Sequence, residues 1–278
     1  MSLLVPNIVG SITNADLNGA YGVFTLGDYA YIASENDDSL TIIDITDRTN
    51  PTQVGTISNA NLDQARRVYV VGNYAYVPSY GANALTIIDI SNPASPSQVG
   101  TVSTVNTLGA FGVFVLGNYA YVACQVSSAL TIIDISNPAS PSEVGTVTSA
   151  ELFQSSDVYV VGNYAYVVAF NDLTVVDISN PASPSQVGTV TSAELNGARD
   201  VALYGNYAII ACSTSDALTV VDISNPASPS QVSYVTDTDL DNAAGISVLG
   251  NYAYVASSTA DSLTIINITS FVPPVFMY

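Results

Sequence analysis

Three of the four basic side chains in this sequence fall at two equivalent places in a repeating pattern, Arg66 and Arg67 at one and Arg199 at the other. Asp157 and Asp200 stand at nearby positions of the same pattern. A guanidinium presents several N–H donors in one plane and can bind a carboxylate or a small anion. The same five side chains can instead form salt bridges that hold neighbouring strands together. Both interpretations remain open, and both predict that the five residues cluster at the mouth of a central channel.

A second acidic pattern suggests a cation. Asp237, Asp239 and Asp241 alternate as carboxylates do in calcium-binding loops, although the glycine and the distal Glu of an EF-hand loop are missing. On a β-strand, this alternation would place all three carboxylates on one side, where their mutual repulsion favours a bound cation. Calcium is the ion that this pattern indicates, and no other cofactor is expected.

The composition gives little support to acid–base or nucleophilic catalysis. The chain contains no His, and its four basic residues are all arginines, at positions 48, 66, 67 and 199. A Ser–His, Cys–His or Schiff-base site therefore cannot be assembled. A metal-dependent lactonase would need clustered Glu, Asp and Asn side chains, and no full set is evident. We therefore expect a protein that is not an enzyme.

One carboxylate recurs at the end of the same predicted strand. A catalytic group occurs once or twice in a site, whereas a residue repeated in every unit performs the same structural role each time. We expect these side chains to accept backbone N–H bonds from the proline-rich turn that follows, a role that Asn can also fill. The positions are Asp44, Asp89, Asp134, Asp177 and Asp222, with Asn267 in the last copy.

The net charge limits the partners. The formal charge is −19, because 23 acidic residues face only four basic ones. Nucleic acids and anionic membranes bind positive surfaces, so both are excluded as partners. No run of about 20 apolar residues exists that could insert into a membrane, and Ser2 to Val9 lacks the pattern of a signal peptide. The remaining expectation is a protein partner or self-assembly.

An internal repeat organises the whole chain. A glycine-led motif, GDYAYI, GNYAYV or GNYAII, begins at spacings of 45, 45, 45, 43 and 45 residues, and LTIIDI or a close variant follows each copy. Repeats of this length are typical of solenoids and propellers. The motif begins at Gly27, Gly72, Gly117, Gly162, Gly205 and Gly250.

Each unit is predicted to contain four antiparallel strands. In the second unit a Gly72-Asn73 turn joins the first two strands, and the prolines of SNPASPS end the third. Four strands in about 45 residues match one propeller blade. The predicted strands of this unit are Ala65 to Val71, Tyr74 to Val77, Leu85 to Ile90 and Gln98 to Ser103.

The sequence predicts an all-β fold, a single closed six-bladed β-propeller over residues 1–278. Ile8 to Ile12 (IVGSI) lies 45 residues before QVGTI, so we expect it to be the outermost strand of the last blade and to close the ring. The expected units are about 14–58, 59–103, 104–148, 149–191, 192–236, and 237–270 together with 8–12.

The repeated text, LTIIDISNPASPSQVG with GNYAYVA upstream, resembles the LVIVD-repeat β-propellers of bacterial and archaeal surface or exported proteins. The resemblance spans Ile8 to Ile268. It implies a propeller fold and a location outside the cell or on its surface, and it brings no general set of catalytic residues.

The two cysteines occupy equivalent places in their units. Cys124 and Cys212 stand where other copies have Ser34, Ser79 or Ser257. Small residues that replace one another in this way indicate a position packed in the protein interior, so we expect no disulfide and no metal or redox pair.

Variation is concentrated in the loops after the second strand of each unit. They are Ser34 to Ser39, Ser79 to Ala84, Cys124 to Ala129 and the shorter Phe170 to Asp172. Recognition commonly resides on variable loops held by a rigid scaffold, although neutral drift explains the variation equally well.

The C-terminal segment FVPPVFMY carries no charged side chain. We expect it to be a contact element that packs on its own sixth blade, beside the N-terminal strand, or on a neighbouring subunit. Its candidate interface residues are Phe271, Val272, Val275, Phe276, Met277 and Tyr278.

These observations favour a non-catalytic scaffold for protein–protein interaction, or a structural subunit of an extracellular, cell-surface or virion-like assembly. The competing functions are a ligand- or carbohydrate-binding module at the channel mouth and a metal-dependent hydrolase.

Overall fold

The computed structural model describes residues 9–270. Within this range it contains six antiparallel sheets, of which five have four strands and the sixth has three. This is the blade architecture of a six-bladed β-propeller, and it confirms the all-β fold predicted from the repeat. The chain divides into two compact units, residues up to 103 together with 137–141, and 104–136 together with 142 onward.

The first unit holds two sheets, each with its strands in sequence order. The first sheet contains β1 (Ala20–Leu26), β2 (Tyr29–Ser34), β3 (Ser39–Asp44) and β4 (Thr52–Ser58), and the second contains β5 (Tyr69–Val71), β6 (Tyr74–Ser79), β7 (Ala84–Asp89) and β8 (Ser97–Val102).

The second unit holds the other four sheets, also with strands in sequence order. The third sheet contains β9 (Ala110–Leu116), β10 (Tyr119–Cys124), β11 (Ala129–Asp134) and β12 (Ser142–Thr148), and the fourth contains β13 (Asp157–Val161), β14 (Tyr164–Ala169), β15 (Asp172–Asp177) and β16 (Ser185–Thr191). The fifth sheet contains β17 (Ala198–Tyr204), β18 (Tyr207–Cys212), β19 (Ala217–Asp222) and β20 (Ser230–Thr236), and the sixth contains β21 (Ala243–Leu249), β22 (Tyr252–Ser257) and β23 (Ser262–Asn267).

Short 3-10 helices precede five of the first strands, and one follows β23. They are Ala15–Leu17, Ala60–Leu62, Ala150–Leu152, Ala193–Leu195, Thr238–Leu240 and Ile268–Ser270.

Within each unit the core lies between the faces of successive sheets, and the two middle strands of each four-stranded sheet are almost fully buried. In the first unit, for example, Leu40 and Ile42 of β3 pack in one cluster with Val70 and Val77 of the second sheet. The β-branched and leucine side chains of the LTIIDI motif supply these buried faces, because a strand covered on both sides requires a near-continuous apolar run.

The first strand of the second sheet is shorter than predicted. The run Ala65 to Val71 forms a strand only over Tyr69–Val71, with one isolated bridge between Ala65 and Ser79. The neighbouring β6 contains Pro78, whose carbonyl faces this edge and accepts from the Arg66 N–H at 3.1 Å. The nitrogen of Pro78 faces the same edge but carries no hydrogen to donate, so the ladder is interrupted there.

The sixth sheet has no fourth strand within residues 9–270. The prediction that Ile8 to Ile12 forms this strand is not confirmed, because Val9 to Ile12 are not in strand conformation and Ile8 lies outside the described residues. Leu263 and Ile265 of β23 are accordingly 52% and 48% exposed, whereas the leucines at the equivalent positions of the other five sheets are fully buried.

Gly10 lies against the connection between β3 and β4 of the first sheet. A Cβ atom at Gly10 would lie 2.2 Å from the Arg48 carbonyl oxygen, and one at Gly55 would lie 2.2 Å from the Pro93 carbonyl oxygen. Arg48 and Pro93 occupy equivalent positions in successive units. Gly10 therefore packs on the first sheet in the same way that Gly55, in the fourth strand of the first sheet, packs on the second sheet.

Candidate functional site

The repeated third-strand carboxylates have the structural role predicted for them. Each accepts, through Oδ1, the backbone N–H of the residue two positions on, at 2.8 Å for the aspartates and 3.0 Å for Asn267. Side-chain and backbone bonds from the following Ser or Thr lower the pKa of Asp44, Asp89, Asp134 and Asp177 below its usual value. These side chains therefore stabilise the turn after the third strand by accepting its backbone N–H bonds.

Both cysteines are free and buried, which confirms that no disulfide joins them. Burial raises the pKa of the Cys124 and Cys212 thiols to about 12. Each Sγ lies near the hydroxyl of a third-strand threonine, Thr131 at 3.9 Å and Thr219 at 3.7 Å. A buried thiol that stays protonated at neutral pH is a packing residue and not a nucleophile.

The start of the first strand is irregular in several sheets, and this irregularity directs side chains. In β1 the register passes from Ala20 to Gly22, and in β17 it passes from Ala198 to Asp200. Tyr21 and Arg199 are therefore the extra residues of β-bulges. A bulge redirects its side chain away from the regular alternation of the strand, and bulges often occur next to binding sites.

In the first unit, Arg66 joins two loops. It forms a salt bridge with Glu35, which directly follows β2. Its guanidinium carbon also lies 5.1 Å from the centroid of the Tyr21 ring and 5.3 Å from that of Tyr80. We call Arg66, Glu35, Tyr21 and Tyr80 the Arg66 cluster. A guanidinium placed between two aromatic rings and a carboxylate is held in one orientation.

In the second unit, Asp157 and Asp200 bind backbone. Both carboxylates are directed at the Val201 N–H, at 3.4 Å from Asp157 and 3.0 Å from Asp200, and Asp200 also accepts from the Ile246 N–H at 2.9 Å. Both residues are only 8% exposed. The pair therefore links the first strands of three successive sheets, β13, β17 and β21, through hydrogen bonds to the main chain.

Arg199 lines a cleft of about 260 Å³ in the second unit. Its Nε donates to Ser213 Oγ at 3.2 Å, and that hydroxyl donates to the Gly197 carbonyl at 3.0 Å. We call this space the Arg199 cleft. Its lining residues are Gln125, Gln154, Ser156, Phe170, Gly197, Ala198, Arg199 and Thr214.

The five residues predicted to cluster are thus divided between the two compact units. Arg66 and Arg67 belong to the first unit, and Asp157, Arg199 and Asp200 to the second. Within the second unit, the three residues do lie at the starts of neighbouring first strands, as expected from the repeat. A single cluster of all five remains a prediction.

The acidic residues proposed for calcium lie around a short helix and not along a strand, so the expectation that a strand places all three on one side is wrong. Calcium binding itself stays a prediction. Asp237 caps the 3-10 helix Thr238–Leu240 and accepts from the Asp239 N–H at 3.0 Å, and Asp241 ends the helix. The tight turn forms because an Asp side chain at an N-cap satisfies a free backbone N–H. Across residues 9–270, no three His, Cys, Asp or Glu side chains are grouped so that they could hold a metal ion.

The proposed interface residues Phe271, Val272, Val275, Phe276, Met277 and Tyr278 lie outside the described residues. No helix between residues 9 and 270 is both long and apolar enough to span a membrane.

The sequence located the variable loops but not the side chains that matter in them. Glu35, Tyr80, Gln125 and Phe170 are the first residues after β2, β6, β10 and β14, respectively. They occupy one equivalent position in four units, and no two are the same residue type. The sequence signal for these four residues was that the repeat is lost directly after second strands that closely resemble one another.

Solved structures with this fold differ widely from the chain in sequence. A candidate 6-phosphogluconolactonase from Bacteroides uniformis superposes with a TM-score of 0.74 at 12% identity, covering 95% of this chain and 82% of that one. A β-propeller domain from Myceliophteria thermophila gives 0.71 at 11%, covering 89% and 82%. The periplasmic gluconolactonase of Pseudomonas aeruginosa gives 0.67 at 16%, covering 78% and 72%. At these identities, the likeness shows the fold alone.

No curated protein matches the chain. A family model does: the LVIVD repeat matches six times, at residues 19–58, 64–104, 109–149, 154–192, 197–237 and 241–273. These matches cover most of the chain and coincide with the six sheets. The protein therefore belongs to the LVIVD-repeat family, as the repeated motif indicated.

Proposed function

We propose that this protein is a non-catalytic interaction scaffold that binds a partner protein through the residues at the ends of its second strands and the starts of its first strands. The Arg66 cluster is the observation that carries the proposal. It combines Glu35 and Tyr80 of two variable loops with Arg66 and Tyr21 near the starts of first strands, and the Tyr21 side chain is 42% exposed.

The cluster has the chemistry of a protein-binding hot spot. Tyr and Arg are enriched among the residues that dominate interface energies. Ordering an arginine at an interface normally costs conformational entropy, but the rings of Tyr21 and Tyr80 and the Glu35 carboxylate already restrict Arg66. This preorganisation lowers the cost of binding.

The side chains that could act as acids, bases or nucleophiles are engaged in structural hydrogen bonds or buried, which supports a non-catalytic role. The repeated carboxylates hold turns, Asp157 and Asp200 bind backbone N–H groups, and both thiols are buried with a raised pKa. The chain has no His and no Lys with which to build a conventional base or Schiff-base site.

A photo-crosslinking residue in place of Tyr21 tests this function. Tyr234, on β20, is the matched control because it is also a half-exposed tyrosine but lies on an outer strand away from the loops. Incubation of the purified protein alone detects a second copy of the chain, and incubation with an extract of its source cells detects another protein.

We expect one defined crosslinked product from position 21 and none from position 234, and we expect Arg66→Ala to reduce its yield. Equal crosslinking from the two positions, or a yield that Arg66→Ala leaves unchanged, would contradict the proposal.

We further propose an extracellular, cell-surface or virion-like setting for this scaffold, which the family resemblance and the scarcity of positive charge support. Light scattering of the purified protein with and without residues 271–278 tests self-assembly. A lower molar mass after truncation, with an unchanged melting temperature, would assign the tail to an interface between subunits. An unchanged molar mass would show that residues 271–278 are not needed for self-assembly.

A further inference from the structure

We infer that the Arg199 cleft binds one neutral hexopyranose ring, either as a free sugar or as the terminal residue of a glycan. The inference goes beyond the proposed scaffold role and does not depend on it, because the Arg66 cluster and the cleft belong to different compact units.

A deletion in the repeat leaves room for the cleft. The loop between β14 and β15 has two residues, Phe170 and Asn171, whereas the corresponding loops of the other five sheets have four. This difference accounts for the single 43-residue spacing in the sequence. The cleft is lined by Phe170 of this shortened loop, by Gln125 of the preceding sheet and by Thr214 of the following sheet.

The backbone holds Phe170 at the edge of the cleft. Its carbonyl oxygen accepts from the Gly197 N–H at 2.7 Å and from the Ala198 N–H at 3.3 Å, which ties the short loop to the start of β17. The side chain is nevertheless 42% exposed. An exposed apolar ring that lines a polar cleft, on a backbone held by two hydrogen bonds, offers a flat surface to a ligand.

Gln154 contributes a side-chain amide to the cleft lining. Its backbone is left-handed, with φ +56°, and the equivalent residues Gln64 and Asn242 have the same conformation, whereas Gly19, Gly109 and Gly197 are glycines. The conformation is therefore a feature of the repeat, and the amide is what Gln154 adds to the cleft.

The lining chemistry matches hydroxyl groups. Gln125 and Gln154 each carry a donor and an acceptor, Thr214 carries a hydroxyl, and Arg199 carries further N–H donors. A sugar hydroxyl is likewise both donor and acceptor, and the C–H face of a pyranose is apolar enough to stack on Phe170. An entirely apolar ligand would leave these polar groups unpaired on burial.

Local charge favours a neutral ligand over an anion. Ser156 and Arg199 line the cleft, and the next residue after each is a buried aspartate, Asp157 or Asp200. Both carboxylates bond to the Val201 N–H, two residues from Arg199 in the chain, so the formal charges at the starts of these two strands sum to −1. The formal charge of −19 adds a further repulsion for anions, although salt screens it beyond about 8 Å at physiological ionic strength.

The size of the cleft also fits a single ring. Its volume of about 260 Å³ equals that of roughly nine water molecules at ~30 Å³ each. It lies just below the range of about 300 to 1,000 Å³ typical of drug-sized ligand sites. A nucleotide or a longer oligosaccharide could place only one of its rings inside.

The test is binding measured by ligand-observed NMR and calorimetry. The probes are the methyl pyranosides of glucose, galactose, mannose and N-acetylglucosamine, with glucuronate as the anionic comparison. Glycans immobilised through their reducing ends, measured in parallel, distinguish a terminal residue from a free sugar.

Two pairs of variants locate the site. Phe170→Ala removes the stacking surface, and Phe153→Ala is its control, since Phe153 is exposed on the adjoining connection but does not line the cleft. Arg199→Gln removes the guanidinium, and Arg48→Gln makes the same charge change at an exposed turn. Melting temperatures of all four variants confirm that each protein is folded.

We expect one of the neutral glycosides to bind, with a loss of affinity of roughly tenfold in Phe170→Ala, a comparable loss in Arg199→Gln, and none in the controls. Should none of the four glycosides bind at about 50 mM, a concentration at which even weak millimolar binding is visible, the inference is wrong. Preferential binding of glucuronate, or equal losses in the controls, would also overturn it. None of these failures affects the crosslinking test of the scaffold function.

Discussion

Asp200 and Ile246 are joined by a 2.9 Å hydrogen bond from the Ile246 N–H to Asp200 Oδ2, which connects the first strand of the fifth sheet to that of the sixth. The same carboxylate also accepts from the Val201 N–H at 3.0 Å. A residue that sequence reasoning placed in a candidate binding site is thus part of the support that holds two sheets together.

We predict that Asp200→Ala destabilises the protein by about 3 kcal/mol or more, because the carboxylate accepts two hydrogen bonds and each bond to a charged acceptor contributes roughly 1.5 to 3 kcal/mol. Urea unfolding measures this change. Asp28→Ala, at an exposed hairpin turn, is the control and should stay within about 0.5 kcal/mol of wild type. Equal effects at the two positions would show that the Asp200 bonds are not important for stability.

Acid should destabilise the protein through the turn carboxylates. The pKa of Asp44, Asp89, Asp134 and Asp177 lies below the usual 3.8 in the folded state. The stabilisation from a lowered carboxyl pKa is complete above the unfolded-state value and is lost as pH falls through the folded-state value. We therefore expect the free energy of unfolding to fall below about pH 4.

Replacing these four aspartates by asparagine keeps the acceptor oxygen, as Asn267 does in the last unit at 3.0 Å from the Thr269 N–H. The variant should lose stability less steeply between about pH 4 and pH 2 than the wild type, because it has four fewer groups to protonate there. Equilibrium urea titrations at each pH give the comparison. Parallel curves for the two proteins would mean that these turns do not contribute to the acid sensitivity.

Cys124 and Cys212 should be unreactive in the folded protein. Burial raises the pKa of both thiols to about 12, and only the thiolate attacks a disulfide reagent. At pH 8 we expect neither thiol to react with such a reagent until denaturant is added, after which both should react without prior reduction. Rapid reaction of the native protein would mean that the ends of β10 and β18, where the two cysteines lie, become exposed readily.

Pro78→Ala should extend β5. The equivalent residues Ala33, Ala123 and Ala211 pair with the first strands of their sheets. The substitution restores an N–H on the edge of β6 that faces residues 66 to 68. Hydrogen exchange should then show protection of the new amide at position 78, comparable to that of the Ala123 amide. Exchange of this new amide at the rate of an exposed loop would show that the interruption has another cause, such as the adjacent pair Arg66 and Arg67.

The sequence alone was sufficient for the elements that local chemistry determines. The Gly72-Asn73 hairpin turn forms because glycine adopts φ +59° without strain, and it recurs wherever the motif recurs. The turn after each third strand forms because an Asp or Asn side chain binds an N–H only two residues away. Such contacts lie within a few residues, so a 45-residue repeat was enough to predict six sheets.

Contacts between sheets were not predictable in this way, because their partners are far apart in sequence and differ between repeats. Arg66 is ion-paired with Glu35, which is 31 residues away, and Asp157 reaches the Val201 N–H, 44 residues away. The shortening of β5 depends on the ring of Pro78 in the neighbouring strand, and the cleft depends on a loop shorter by two residues. The repeat determined where each strand runs, whereas the tertiary structure decided which non-repeated side chains meet, since only packing of one sheet on the next brings them within bonding distance.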